Sequence, residues 1–138
     1  MTGYLLDTMV ISETRKPKPH GAVMAWLQTL PIGQVYLSAV SVGELQAGDE
    51  ATRRQNPAKA GEIELWIEDL AHSYTVLLMD VLCFREWARL MQGRSGDVLE
   101  DMMIAATARV HGLTLATRNL RDFENLGLEL FNPFGSTR

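Results

Sequence analysis

The opening run Gly3-Tyr4-Leu5-Leu6 is apolar without a break and stops abruptly at Asp7. A short run with no polar alternate suits a strand covered on both faces, the situation of a parallel sheet, and not a strand with one wet face. Three more short runs follow, Val35-Tyr36-Leu37, Thr75-Val76-Leu77-Leu78-Met79 and Leu113-Thr114-Leu115-Ala116-Thr117, with Leu128-Glu129-Leu130-Phe131 as a short fifth. Between them the spacing turns helical. Thr8 to Glu13 starts a helix that Lys16-Pro17-Lys18-Pro19 breaks. Ala22 to Leu30 carries Val23, Trp26, Leu27 and Leu30, and a helix runs from about Ser41 toward Gly48. The segment Thr52 to Pro57 reads as a polar loop. Ile63, Trp66, Ile67 and Leu70 form a helical stripe, as do Phe84, Trp87, Ala88 and Met91, and the helix LEDMMIAATA ends at His111-Gly112. Strands alternating with helices predict an α/β fold: a mostly parallel central sheet of four to five strands flanked by helices. No repeat, low-complexity tract or linker divides the chain, so residues 1–138 read as a single domain, long enough for one core.

Composition removes several classes of function. No apolar run approaches the roughly 20 residues that span a bilayer, and MTGYLLDTMVISE has an early acid and no basic leader, unlike a signal peptide. A cytoplasmic location with no membrane partner is expected. Cys83 is the single cysteine, which excludes an internal disulfide and a cysteine-built zinc site; its expected role is packing. The net charge of −4 argues against a general nucleic-acid coat. It leaves room for a nuclease, because an acidic pocket that loads a divalent cation makes a chain acidic while its rim stays basic.

The acids fall at telling places. Asp7 follows the first strand, Glu44 lies in the first turns of the helix after the second, and Asp101 opens the helix that feeds the fourth. Asn119 and Asp122 come just after that fourth strand. In open parallel sheets, ligands gather beyond the carboxyl ends of the strands, so Asp7, Glu44 and the 119–122 turn have a route to one edge. Asp101 reaches it only if its helix starts there. Alone, Asp7 and Asp101 have plainer readings as helix-start charges and Glu44 as a solvated helix residue, and for Asn119 and Asp122 turn geometry serves as well. Asp80, which also ends a strand, reads as a helix cap. Converging carboxylates repel and need a counter-ion. An oxygen-only set suits Mg²⁺, or Mn²⁺, rather than zinc, and that chemistry supports phosphodiester hydrolysis.

The stretches YLLDTMVISE, LSAVSVGELQAG, EDMMIAATARVHGLTLATRNLRDFENLG and LFNPF resemble a PIN domain. The likeness is to the VapC-type toxins of bacterial toxin–antitoxin pairs, including the FitB-like branch, and it covers nearly the whole chain. Asp7 matches the first-strand aspartate, Glu44 the glutamate of Ser41-Val42-Gly43-Glu44-Leu45, and Asp101 the aspartate ahead of Ile104-Ala105-Ala106. The resemblance implies a PIN-like fold and a Mg²⁺-dependent endoribonuclease, with Asp7, Glu44 and Asp101 as metal ligands. It also implies an RNA substrate, a small antitoxin whose tail covers the site, and a homodimer that assembles further with antitoxin. Many PIN domains carry a fourth acid where this chain has the uncharged Asn119, a role Asp122 is placed to share.

Thr8, Ser41 and Thr117 are expected to hydrogen-bond the carboxylates. Arg15, Lys16, Lys18, Arg118 and Arg121 flank the acids in sequence; Arg118 and Arg121 are the first pair expected on a phosphate backbone. The alternative is a binding module, a component of a toxin–antitoxin complex on operator DNA with little hydrolysis of its own. The acidic total then implies that the partner supplies most of the DNA affinity. A phospho-acceptor receiver domain also uses an acidic Mg²⁺ pocket, but it needs a late lysine, and none follows Lys59.

Overall fold

Leu5 and Leu6 are neighbours in the chain, both without solvent exposure, yet they enter different cores. Successive strand residues point to opposite faces, so this split shows that the first strand is covered on both sides. The structure, a computed structural model, describes residues 3–135. Its strands are β1 (Tyr4–Leu6), β2 (Val35–Ser38), β3 (Thr75–Leu77), β4 (Thr114–Ala116) and β5 (Leu130–Phe131). They form one sheet in the order β3-β2-β1-β4-β5, and every pairing is parallel. Leu5 stands in register with Tyr36 on one side and Leu115 on the other, which puts β1 at the centre.

The helices are α1 (Thr8–Ser12), α2 (Gly21–Gln28), α3 (Ala39–Arg53), α4 (Pro57–Ser73), α5 (Val81–Leu90) and α6 (Leu99–His111). Leu5 and Leu115 pack with Met102, Ile104, Ala105 and Ala108 of α6, and Trp87 of α5 leans on that core. Leu6, Leu37 and Ala116 pack instead with Val10 and Ile11 of α1, Val23 of α2 and Leu70 of α4. The alanines of α6 let that helix sit close to the sheet, and its end is set by Gly112, whose φ of 64° and ψ of 35° suit a residue without a Cβ.

Strand ends become helix starts through caps. Asp7 Oδ1 accepts from Thr8 N at 2.8 Å, Ser38 Oγ from Val40 N at 3.0 Å, and Asp80 Oδ1 from Cys83 N at 3.0 Å. The last of these is the capping role expected for Asp80, and Cys83 is buried in the packing as expected.

The polar stretch from Thr52 to Pro57 is not a loop throughout. α3 continues to Arg53, and α4 begins at Pro57, leaving three connecting residues. Asn56 Oδ1 accepts from Lys59 N at 3.1 Å and Pro57 takes the first helical position, where its missing N–H costs nothing. Exposed polar residues here mark the outer face of a helical hairpin. α3 also starts two residues before Ser41, because Ser38 caps it. No helix among the described residues is long and apolar enough to cross a membrane.

Candidate active site

Beyond the carboxyl ends of β1, β2 and β4, a cavity of about 310 Å³ is lined by Asp7, Thr8, Met9, Ser12, Glu13, Lys16, Glu44, Asp101, Arg118, Asn119 and Phe134. The three acids matched from sequence therefore share one pocket, and α6 does begin at this edge. Asp7 is buried, capping α1 with one carboxylate oxygen while the other accepts from Thr117 Oγ1 at 2.8 Å. The cap and the pocket are thus served by one side chain. Burial pushes the Asp7 carboxyl above the ordinary aspartate range, against the pull of the Thr117 and Thr8 hydrogen bonds.

Asp101 stands half-buried in the first turn of α6. Its carboxyl is pushed up to about 6, first by burial and then by the negative charges of Asp7, Asp122 and Glu44. The charge part of that push marks carboxylates folded together with no ion-pair partner among the described residues.

Glu44 is exposed in the second turn of α3. Thr8 Oγ1 lies 2.6 Å from Glu44 Oε1 and 2.8 Å from Ser41 Oγ. A hydroxyl has one proton to give; the carboxylate is the stronger acceptor, so Thr8 donates to Glu44 and accepts from buried Ser41. Thr117 is used twice as well, donating to Asp7 and accepting from Asn119 N at 3.0 Å. Of the three hydroxyls expected beside the carboxylates, Thr8 and Thr117 each bond one directly, while Ser41 reaches none and bonds Thr8 instead.

The fourth position divides in two. Asn119 lines the pocket, and its side chain makes no capping hydrogen bond to the turn that follows. Asp122 sits on that exposed turn, outside the lining, and reaches Asp7 and Asp101 only through its charge. Arg118 lines the pocket with its guanidinium 4.0 Å from the ring centroid of Phe134. Arg121 is exposed and outside the lining.

Sequence reasoning passed over Glu13, Phe134 and Ser12. Glu13 is 6% exposed and its carboxyl is lowered from the usual glutamate range, chiefly by its hydrogen bond from Lys16 and then by that from the His20 N–H. The one signal for it was an acid directly after Val10-Ile11-Ser12, on a helix too short to spare a polar face. Asp49 was also missed. It is buried against Glu50 and Glu64, an arrangement with the outline of a metal site. Arg53 already fills its centre, 2.9 Å from Asp49, 2.6 Å from Glu64 and 3.3 Å from Glu50. A guanidinium neutralises that group where Asp7, Glu44 and Asp101 have no such partner among the described residues.

The donors in the pocket are hard oxygens, and no histidine or cysteine among the described residues lines it. With the repulsion at Asp101, this set fits Mg²⁺ or Mn²⁺.

The PIN domain family model matches residues 4–128. VapC ribonuclease Y4jK of Sinorhizobium fredii is 37% identical, over 94% of this chain and 96% of its own. Toxin FitB of Neisseria gonorrhoeae is 35% identical, over 94% and 97%. Among solved structures, FitAB bound to an IR36 DNA fragment superposes with a TM-score of 0.80 at 32% identity, covering 98% of each chain. The family match runs from β1 past the turn that carries Asp122, and so takes in every acid of the pocket: the chain belongs to the PIN domain family.

Proposed function

We propose that this chain is a Mg²⁺-dependent endoribonuclease, the toxin of a toxin–antitoxin pair, acting in the cytoplasm as a single PIN-like domain over residues 1–138. The observation that carries the reading is the meeting of Asp7, Glu44 and Asp101 in one pocket, where burial first and then the neighbouring negative charges lift the Asp101 carboxyl to about 6. Relatives that align over nearly the whole chain bear the names ribonuclease and toxin.

Asp7, Glu44 and Asp101 would hold the ion, with Mn²⁺ as a substitute, and Asn119 offers a neutral amide oxygen beside them. When bound, the metal acidifies water and offsets charge that develops on the phosphate. The chain's own part is positional. Thr117 and the Thr8 N–H fix both oxygens of Asp7, Thr8 fixes Glu44, and Arg118 stands at the mouth to meet phosphate. Asp122 adds negative potential from outside the lining, and Arg121, exposed on the same turn, would be the second cation offered to a longer RNA strand.

The cognate antitoxin would neutralise the enzyme by covering this mouth. Operator DNA is reached through the complex, with the antitoxin supplying the positive charge that a chain of net −4 lacks. A homodimer accounts for Leu78, Val81, Leu82 and Phe84, large apolar side chains left 46–73% exposed on and beside α5.

The deciding experiment is cleavage of a panel of RNAs by the purified chain with Mg²⁺, with Mn²⁺ and with chelator, using Asp101→Asn as control. Cleavage that needs the ion and disappears in the variant supports the reading. Chelator-resistant cleavage, or cleavage retained by Asp101→Asn, removes it.

A further inference from the structure

The pocket holds a fourth acid, a buried one, that the metal reading does not use. Glu13 points both carboxylate oxygens at the segment just downstream of α1: Oε2 lies 2.5 Å from Lys16 Nζ, and Oε1 accepts from His20 N at 2.9 Å. Between those two anchors run Pro17, Lys18 and Pro19, and two fixed proline φ angles leave this strap little freedom once its ends are pinned. The reach continues past His20. Its ring packs edge-on against Phe134 at 5.1 Å, and Phe134 in turn carries the guanidinium of Arg118 at 4.0 Å from its ring centroid. Phe134 is itself held by its N–H, which donates to Asn132 Oδ1 at 2.9 Å. Lys16, Phe134 and Arg118 all line the same cavity as Asp7, Glu44 and Asp101.

A single connected set thus carries two cations to the rim of an acidic pocket. The arrangement answers an electrostatic difficulty. Carboxylates that gather a metal also repel every phosphate except the one the metal neutralises, and an RNA strand presents several. Lys16 has three ammonium protons, of which Glu13 takes one, and its side chain is 54% exposed. The remaining donors are available to solvent or to an anion. Arg118 lies against an aromatic face, which leaves its guanidinium edge for a phosphate oxygen.

We infer that Glu13 is a positioning residue which, directly through Lys16 and indirectly through His20 and Phe134, sets Lys16 and Arg118 as a two-point clamp for RNA phosphates flanking the one at the acids. This rests on the ribonuclease reading. Glu13 is no metal ligand in this scheme, and Lys16 becomes a substrate contact equal in rank to Arg118.

The test uses the full chain in steady-state cleavage of a single-stranded RNA oligonucleotide with Mg²⁺ over a series of salt concentrations. Lys16→Ala and Glu13→Gln are compared with Lys59→Ala, which removes the same charge outside the pocket lining. Lys16→Ala should raise KM roughly 5–10-fold with kcat within about twofold, and lower the log–log salt slope by about 1. Glu13→Gln keeps an acceptor for the His20 N–H but loses the charge that orients Lys16, and should raise KM in the same direction. Lys59→Ala should match wild type. If Glu13→Gln does not fold, Glu13→Asp, which keeps the charge and shortens its reach, takes its place, and a folded Glu13 variant with wild-type KM and salt slope overturns the positioning role. Unchanged KM and salt slope in Lys16→Ala, with wild type cleaving normally, overturn the clamp and leave the ribonuclease reading standing. So does a loss confined to kcat or to melting temperature. A wild-type chain that shows no Mg²⁺-dependent cleavage overturns both.

Discussion

Thr117 Oγ1 donates a 2.8 Å hydrogen bond to Asp7 Oδ2, joining the ends of two adjacent parallel strands across 110 positions of sequence. The bond lowers the Asp7 carboxyl against the upward push of burial. Thr117→Val keeps the shape of the side chain and removes the donor. Such supporting partners are worth about 10–100-fold in metal affinity, so Mn²⁺ binding measured by calorimetry should weaken by about 10-fold. Unaltered affinity would place Asp7 outside the cation's reach.

Asp101 gives a pH dependence whose sign can be worked out. Its folded carboxyl titrates at about 6, above the value of about 3.9 for an unfolded aspartate. Between those values the folded state holds more protons, so metal-free stability falls as pH rises through the window and stays low above it. At neutral pH the penalty is about 1 kcal/mol once solvent screening of a half-exposed group is allowed for. Asp101→Asn should melt higher than wild type in chelator at pH 7.5 and lose most of the difference near pH 4. Added Mg²⁺ should raise the melting temperature of wild type and not that of the variant.

The two arginines after β4 should behave differently. Arg118→Ala removes a cation that lines the pocket, and should weaken RNA binding with a salt slope lower by about 1. Arg121→Ala, outside the lining, should change affinity less than Arg118→Ala. Anisotropy titrations of a fluorescent RNA at several salt concentrations resolve the two, and an equal or larger effect at Arg121 would move the substrate track.

Val81 is 73% exposed at the first position of α5, beside Leu78 and Leu82. Val81→Glu puts a charge into the centre of that apolar face without touching a core. Sedimentation velocity should show a dimer for wild type and a monomer for the variant, with the far-UV spectrum unchanged. A wild-type monomer at micromolar concentration would remove the homodimer proposal.

The strands were legible because burial on both faces abolishes polar alternation: Leu5 and Leu6 had to serve two cores at once, and a short apolar run said so. The helix boundaries were less legible near Thr52, where a cap at Asn56 and a proline at the first helical position convert polar residues into a tight helical hairpin. For the pocket, Asp7 and Glu44 had a visible route to a common edge, since strand ends in a parallel sheet face one way. Asp101 depended on where α6 begins, which no local pattern fixes. Glu13 was hidden for another reason: its partners, Lys16 and the His20 N–H, meet it only because the strap folds back. Phe134 is 121 positions from Glu13, and nothing in its neighbourhood hinted at an arginine lying on it.

Strand β1 lies in the middle of the sheet, and its flank stays bare until residues 114–116 arrive to pair with it. On a ribosome adding about 5–20 residues per second, the hundred-odd residues between Asp7 and Thr117 take roughly 5–20 s to emerge. During that interval a nascent chain gains Glu44 and then Asp101 after Asp7, with no closed cavity to hold them. The order of synthesis therefore leaves the pocket incomplete until the last strands of the sheet are made.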